Sequence, residues 1–322
     1  MTFEEIGASI APEFAQFQSM FDSAFAAGET LIRSVLTHVQ SQKGKQIRPI
    51  FIILCAKLCS APTTATYQMA SALELLHTAS LLHDDVVDKT DMRRGKPSAN
   101  SLFDNKTAIL TGDFLLSKAL GFAAATDDSR LFRILADLGA LLARGELLQI
   151  QYSYSIPTEE EYIDVIRKKT AVLFDSCAHA AAISTDAPAE ETKALRRFAD
   201  ALGICFQIKD DIFDYSPNAQ IGKPTLNDIR EGKITLPLLH ALNQISHSDA
   251  IKILDAVKNA QFTEDFFYNI GTLVSRHHGI EYATHTIEHY RTLALDALNF
   301  FPDSLTRTTL ASLLDYVISR SR

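Results

Sequence analysis

Asp84-Asp85-Val86-Val87-Asp88 and Asp210-Asp211-Ile212-Phe213-Asp214 repeat one five-residue pattern, each near the end of a long apolar-periodic stretch. On a helix, residues i and i+4 share a face and i+1 lies one step around it, so each copy projects a cluster of carboxylates to one side. Such clusters repel themselves. At a helix C-terminus they also meet the negative end of the macrodipole. Bound cations remove both penalties. Carboxylate oxygens without Cys or His partners suit hard ions, and Mg²⁺ in particular favours a few carboxylates completed by water and by phosphate oxygens of a substrate. Solvated acidic helix ends would carry no chemistry. The matched repetition, the apolar setting and the basic residues after each copy, Arg93-Arg94-Gly95-Lys96 and Gly222-Lys223, favour metal binding instead.

Three long helices are needed to position these groups. Pro62 and the threonines after it open one that runs through the first motif and stops around Arg94-Gly95-Lys96-Pro97. Thr158 with Glu161 forms a capping box after Pro157, starting a helix that carries Lys169, Thr170 and Phe174. A third begins near Glu190 and carries Phe206, Gln207 and the second motif until Ser216-Pro217 ends it. The segment from Ser216 to Lys233 is polar, lysine-bearing and punctuated by Gly and Pro, the profile of an active-site lid.

Composition supports an all-α chain. Among 322 residues there are only 13 Gly and 10 Pro, 47% are hydrophobic, and no run of alternating β-branched residues is sustained. No internal repeat beyond the motifs, low-complexity tract or linker divides the chain, so residues 1–322 are expected to form one domain. The net charge of −8 argues against nucleic acid as a partner, because phosphate binding needs a positive footprint. Met1 to Gly28 lacks a basic and then apolar leader, and Lys57 interrupts the apolar stretch after Pro49 well short of the ~20 residues of a membrane span. A cytoplasmic protein is expected. Cys55, Cys59, Cys177 and Cys205 sit in apolar helical patterns, make no paired zinc spacing, and read as small buried hydrophobes.

The chain resembles the trans-isoprenyl diphosphate synthases (polyprenyl synthetases) over nearly its whole length. Besides the two motifs the resemblance rests on Gly44-Lys45-Gln46-Ile47-Arg48-Pro49, on His77 within Leu76-His77-Thr78-Ala79-Ser80-Leu81-Leu82-His83, on Lys169-Thr170, Phe206-Gln207 and Glu231-Gly232-Lys233. Gln46, where relatives often have Arg, and Lys43, where many have a second Gly, depart from the pattern but leave Lys45 and Arg48 in place.

The resemblance implies a single isoprenoid-synthase-type helical bundle, with a central cavity and the two motifs facing each other across its mouth. It implies that Asp84, Asp85, Asp88, Asp210, Asp211 and Asp214 hold three Mg²⁺ ions on an allylic diphosphate primer, and that the chain works as a homodimer. Lys45, Arg48, His77 and Arg94 match positions that bind isopentenyl diphosphate. Arg93, Lys169 and Lys233 match positions that reach the allylic diphosphate, and Lys223 belongs with the lid. Thr170 and Gln207 match positions whose oxygen dipoles lie near the carbocation. Asp228 is expected to support the lid lysines or a metal-bound water. Released pyrophosphate is the family's usual proton acceptor.

Ala79 and Ser80 lie five and four residues before Asp84, on the turn beneath the first motif where a growing tail must pass. Small side chains leave the way open, so elongation is expected to stop deeper, near Leu76 or Leu73 and the facing region of Leu116 and Leu120. A helix of ~20 residues is about 30 Å long, which at about 5 Å per isoprene unit admits around six units and, with folding of the tail, around eight. The expected product is a medium-to-long all-trans polyprenyl diphosphate of the heptaprenyl or octaprenyl kind, whose release involves transient membrane contact. The alternative is a short-chain geranylgeranyl or farnesyl diphosphate synthase. A hypothesis from another class comes from His285-Thr286-Ile287-Glu288-His289, which fits the inverted zinc-peptidase pattern H-x-x-E-H. It lacks an evident third ligand downstream, and a polar helix face accounts for it as well.

Overall fold

Thr63 accepts a hydrogen bond from the Thr66 amide, and the Thr66 hydroxyl accepts one from the Thr63 amide, so the capping pair opens the helix that ends in the first motif. The computed structural model describes residues 1–215 and 226–320. In chain order the elements are α1 (Phe3–Ala8), α2 (Ala11–Ser23), α3 (Thr30–Gln40), α4 (Ile47–Cys59), α5 (Thr64–Val87), β1 (Met92–Arg93), β2 (Lys96–Pro97), α6 (Ala99–Leu102) and α7 (Asn105–Ala124). There follow α8 (Ser129–Tyr152), α9 (Glu159–Ile166), a π-helical turn (Arg167–Ala171), α10 (Val172–Ser184) and α11 (Ala189–Asp214). The remainder is α12 (Asn227–Arg230), α13 (Leu236–Leu242), α14 (His247–Lys258), α15 (Glu264–Arg276), α16 (Gly279–Leu298) and α17 (Leu305–Ser319). The all-α expectation holds.

Two compact units emerge. The first comprises Met1–Gly139, Ser176–Arg196 and Phe300–Leu313. Its core is α5, packed against α2, α4, α6 and above all α7. Pro49 to Ala56 of α4 are buried without interruption, as befits a helix apolar on every side. Asp88 caps α5, its amide bonded to the Asp84 carbonyl at 2.8 Å, so the motif does close its helix. The helix stops there, short of Arg94. Arg93 and Arg94 instead belong to a hairpin pairing Arg93 with Lys96, whose two central residues, Arg94 (φ 51°) and Gly95 (φ 75°), both have positive φ. That is the conformation of a two-residue turn matched to strand twist, and Gly supplies half of it without strain.

The second unit comprises Ala140–Asp175, Arg197–Asn299 and Leu314–Arg322. The capping box of Thr158 and Glu161 starts α9 where the sequence places it. Its continuation differs: the backbone widens into the π turn at Lys169 and Thr170 before α10 resumes. Such single wide turns inside helices concentrate at functional positions. α13, almost wholly buried, packs on α15 and α16. Asp214 ends α11, again at a motif.

Candidate active site

In the first unit, a cleft of about 540 Å³ is lined by Gly44, Glu74, His77, Asp85, Arg93 and Arg94, among others. Asp85 has 2% of its side chain exposed and is held by Arg93, whose Nε donates to both carboxylate oxygens at 2.8 and 2.9 Å and whose Nη2 lies 2.6 Å away. This bidentate fork is the strongest geometry available to a guanidinium. Arg94 donates from Nη1 to the Gln42 carbonyl at 2.5 Å and lies against the backbone of Gly44, where a Cβ would sit 2.6 Å from the guanidinium. Only glycine allows that approach. Arg48 Nη1 is 3.0 Å from His77 Nε2. Burial, reinforced by Arg48, Arg94 and Arg93, holds the His77 imidazole well below its usual range, so it is neutral at neutral pH. Beneath these cations lies Glu74, fully buried, with Oε2 lacking a hydrogen-bond partner; burial pushes its carboxyl up, against the pull of Arg48 and Arg94.

In the second unit, a cleft of about 590 Å³ is lined by Tyr162, Lys169, Gln207, Asp211, Asp228 and Lys233, among others. Asp211, with 3% exposure, accepts from the Tyr162 hydroxyl at 2.6 Å and from Gln207 Nε2 at 2.7 Å. Gln207 Oε1 accepts in turn from the Thr170 hydroxyl at 2.5 Å. Burial pushes Asp211 up to about 6, restrained by the Tyr162 and Gln207 bonds and reinforced by Asp210 and Asp214. Asp214, also raised by burial, accepts from the amides of Asn227 (2.9 Å) and Asp228 (3.0 Å). Asp210 pairs with Arg320 at 2.8 Å. Asp228 is pushed well above the carboxylate range by burial and by Asp211 and Asp214, with Lys233 acting in the other direction. Lys169 pairs with Glu146 at 2.8 Å, and Lys233 with Glu231.

The sequence-predicted residues therefore assemble in two sets. Arg93, Arg94 and His77 line one cleft with Asp85, and Arg48 touches His77; Lys169, Gln207 and Lys233 line the other with Asp211, and Thr170 touches Gln207. Lys45 is exposed just before α4 and is not among the described lining residues, whereas Lys43, paired with Asp22, is. Ala79 and Leu76 are buried in α5, and Ser80 folds its hydroxyl back to the His77 carbonyl. Lys223 and most of the expected lid lie outside the described residues. His285, Glu288 and His289 are exposed on α16, with Glu288 3.8 Å from Arg291. Among the described residues, no three His, Cys, Asp or Glu side chains are gathered closely enough to hold a metal ion as they stand. For the aspartate motifs the reason is visible, since Arg93, Arg320, Tyr162, Gln207 and backbone amides take up their oxygens. Glu74, Glu146, Tyr162 and Arg320 were not singled out from the sequence. Only Glu74 left a local sign there, a carboxylate three residues before His77 in an apolar helix.

A family model described as polyprenyl synthetase matches residues 29–267. The chain belongs to the polyprenyl synthetase family. It is therefore a transferase of prenyl groups acting in isoprenoid biosynthesis. An octaprenyl diphosphate synthase of Haemophilus influenzae is 33% identical over 100% of this chain and 98% of its own. A polyprenyl synthase from Caulobacter crescentus, solved with calcium and isoprenyl diphosphate, superposes with a TM-score of 0.93 at 30% identity, covering 100% of this chain and 98% of that one. A geranylgeranyl pyrophosphate synthase from Bacteroides thetaiotaomicron is 42% identical, with a TM-score of 0.85 and 98% of both chains covered. Membership leaves the zinc-hydrolase alternative without support, and the fold expected from the resemblance is the fold of these neighbours.

Proposed function

We propose that the chain condenses isopentenyl diphosphate with an allylic diphosphate primer, giving a medium-to-long all-trans polyprenyl diphosphate, with Mg²⁺, three ions in all, at the six motif aspartates. The observation that carries the reading is the second-unit cleft, where buried Asp211 shares one space with Lys169, Lys233 and the Thr170–Gln207 pair. The donor set fits a hard divalent ion. It is all oxygen, and burial has raised Asp211 and Asp214, so a cation entering there relieves a cost the fold already carries. When bound, divalent ions neutralise the diphosphate and make it a leaving group.

This chain's own residues supply the rest. Lys169 and Lys233 leave their glutamate partners for diphosphate oxygens as mobile point charges, with Arg93 shared between Asp85 and the allylic diphosphate. Thr170 and Gln207 turn oxygen dipoles toward the allylic cation formed when the C–O bond breaks. Arg48, Arg94, neutral His77 and, from the approach to α4, Lys45 hold isopentenyl diphosphate, whose double bond attacks that cation. Proton loss to the departing pyrophosphate completes the step. The chemistry requires both motifs to serve one allylic diphosphate, so the two units act as a single catalytic domain.

Chain length, assembly and location belong to the same proposal. Ala79 and Ser80 leave room beneath the first motif, and a full-length relative is an octaprenyl diphosphate synthase by name. The geranylgeranyl reading has the 42% identical structure on its side. Sizing the products made from labelled isopentenyl diphosphate with primers of several lengths decides between them: chains beyond four isoprene units support the proposal, and a stop at geranylgeranyl diphosphate overturns its length. For the homodimer, the supporting feature is α7. Alone among the described helices it has the length and hydropathy of a candidate membrane span, with 33% of that window buried, and it exposes Ile109, Leu110 and Leu120. One face of α7 packs on α5, so the exposed face is assigned to a second copy of the chain. Catalysis is placed in the cytoplasm, with transient membrane contact to discharge the product.

A further inference from the structure

Arg320 follows α17 and is the last described residue, yet its side chain is only 9% exposed. Every group it meets belongs to the second unit. Nη2 lies 2.8 Å from Asp210 Oδ1 and donates to the Phe206 carbonyl at 2.9 Å. The guanidinium carbon stands 3.9 Å from the centre of the Phe206 ring and 5.6 Å from that of Phe213. Phe206 is in turn tilted against Phe174, ring centres 5.5 Å apart. A carboxylate for the charge, a carbonyl for an N–H and an aromatic face for the plane together match each recognition feature of a guanidinium. This is a receptor for one side chain, built around the first carboxylate of the second motif.

The same carboxylate cannot satisfy a guanidinium and a divalent ion without dividing its charge between them. We infer that Arg320 is a positioning residue for Asp210: it holds the carboxylate in the metal-free enzyme, and the Asp210–Arg320 bond opens when a divalent ion enters the second motif. Metal affinity there is set by this competition. The Phe206 ring and carbonyl keep Arg320 in place once the carboxylate is surrendered, so a cation remains beside the loaded motif. The inference rests on the metal reading of the second motif proposed above, and the experiment separates the two.

Mn²⁺ is titrated into the full-length protein without substrate and followed by calorimetry and water-proton relaxation, in the wild type, Arg320→Gln, Arg320→Lys and Asp210→Asn. Arg320→Gln keeps an amide able to donate to the Phe206 carbonyl and removes the competing charge, so Mn²⁺ should bind about five-fold more tightly. Arg320→Lys, which retains the charge, should stay close to the wild type. In the Asp210→Asn background the gain should vanish, because no carboxylate remains to be released. Unchanged or weaker Mn²⁺ binding in Arg320→Gln overturns the inference, the weaker result marking a purely structural residue. If Asp210→Asn binds as many ions as tightly as the wild type, the metal reading of the second motif falls, and the inference with it.

Discussion

Asp85 in the first motif and Asp211 in the second are equivalent positions of one pattern, 2% and 3% exposed, yet they are satisfied by opposite means. Asp85 receives a full positive charge from Arg93, eight residues along the chain on a hairpin turn. Asp211 receives hydrogen bonds from two neutral groups, Tyr162 and Gln207. A guanidinium fork compensates a buried anion, whereas hydroxyl and amide donors only lessen its cost, which is why burial still drives Asp211 up to about 6. The first motif carries its own counter-ion; the second waits for one from outside. An identical sequence pattern therefore gives one site that is electrically settled without metal and one that is not.

The widest test of this contrast is to remove a ligand from each side. Asp84→Ala and Asp210→Ala should each lower Mg²⁺-dependent kcat by about 10³-fold while far-ultraviolet circular dichroism stays unchanged, since each loss falls on charge stabilisation needed in the transition state. Near-normal turnover in either variant removes that motif from the chemistry. Next in size is the counter-ion itself. Arg93→Ala strands a buried carboxylate and should cost about 3 kcal/mol in urea unfolding. Arg320→Ala, whose partner Asp210 is 41% exposed, should cost about 1 kcal/mol. Equal losses would show that the two pairs are not different in kind.

The pH response separates the motifs further. An acid with a raised folded-state pKa binds more protons folded than unfolded in the window between its two values, so unfolding free energy falls as pH rises there. The metal-free protein should keep the Asp211 contribution in full below about pH 4 and lose it as the pH climbs through about 6. The change is on the order of 2 kcal/mol. Asp211→Asn should flatten the profile, and a slope surviving that substitution would assign it to other groups. Mg²⁺ should bind the second motif less well below about pH 6, where Asp211 is protonated.

The smallest effect concerns the turn beneath each motif. Under the first stand Ala79 and Ser80. Under the second stand Cys205, bonded to the Ile287 carbonyl, and Phe206, already stacked with Phe174 and Arg320. Adding bulk should matter only under the first, so Ala79→Phe should shorten the product at retained condensation rate. Chromatography showing an unchanged product length would mean that the tail does not pass Ala79.

What could be read from the sequence was what short-range rules govern. Thr158 and Glu161 cap α9 because both hydrogen bonds lie within one turn, and both motifs close their helices because polar residues and the following Gly or Pro punctuate an apolar period. The metal-ligand candidates were legible by their repetition. Their partners were not. Arg320 meets Asp210 across 110 residues of chain, Tyr162 meets Asp211 across 49, and neither spacing leaves a periodic trace. Arg93 and Arg94 misled for a local reason: cations past an acidic helix end look like ordinary dipole partners, whereas two positive-φ residues turn them into a hairpin. The burial of Asp85 and Asp211 was missed as well, because helix-end carboxylates are expected to face solvent.

The π turn at Arg167–Ala171 has a consequence for descent as well as for chemistry. A wide turn holds one residue more than the α-helical path it replaces, so it is the mark of a single-codon insertion absorbed within a helix. Deleting one residue there would rotate everything downstream by about 100° relative to the capped start of α9. Lys169 and Thr170 could then no longer both keep their present bearings, and Phe174 in the buried core would be turned as well. The extra residue can be gained once, but after catalysis and packing have both been fitted to it, no single deletion takes it back.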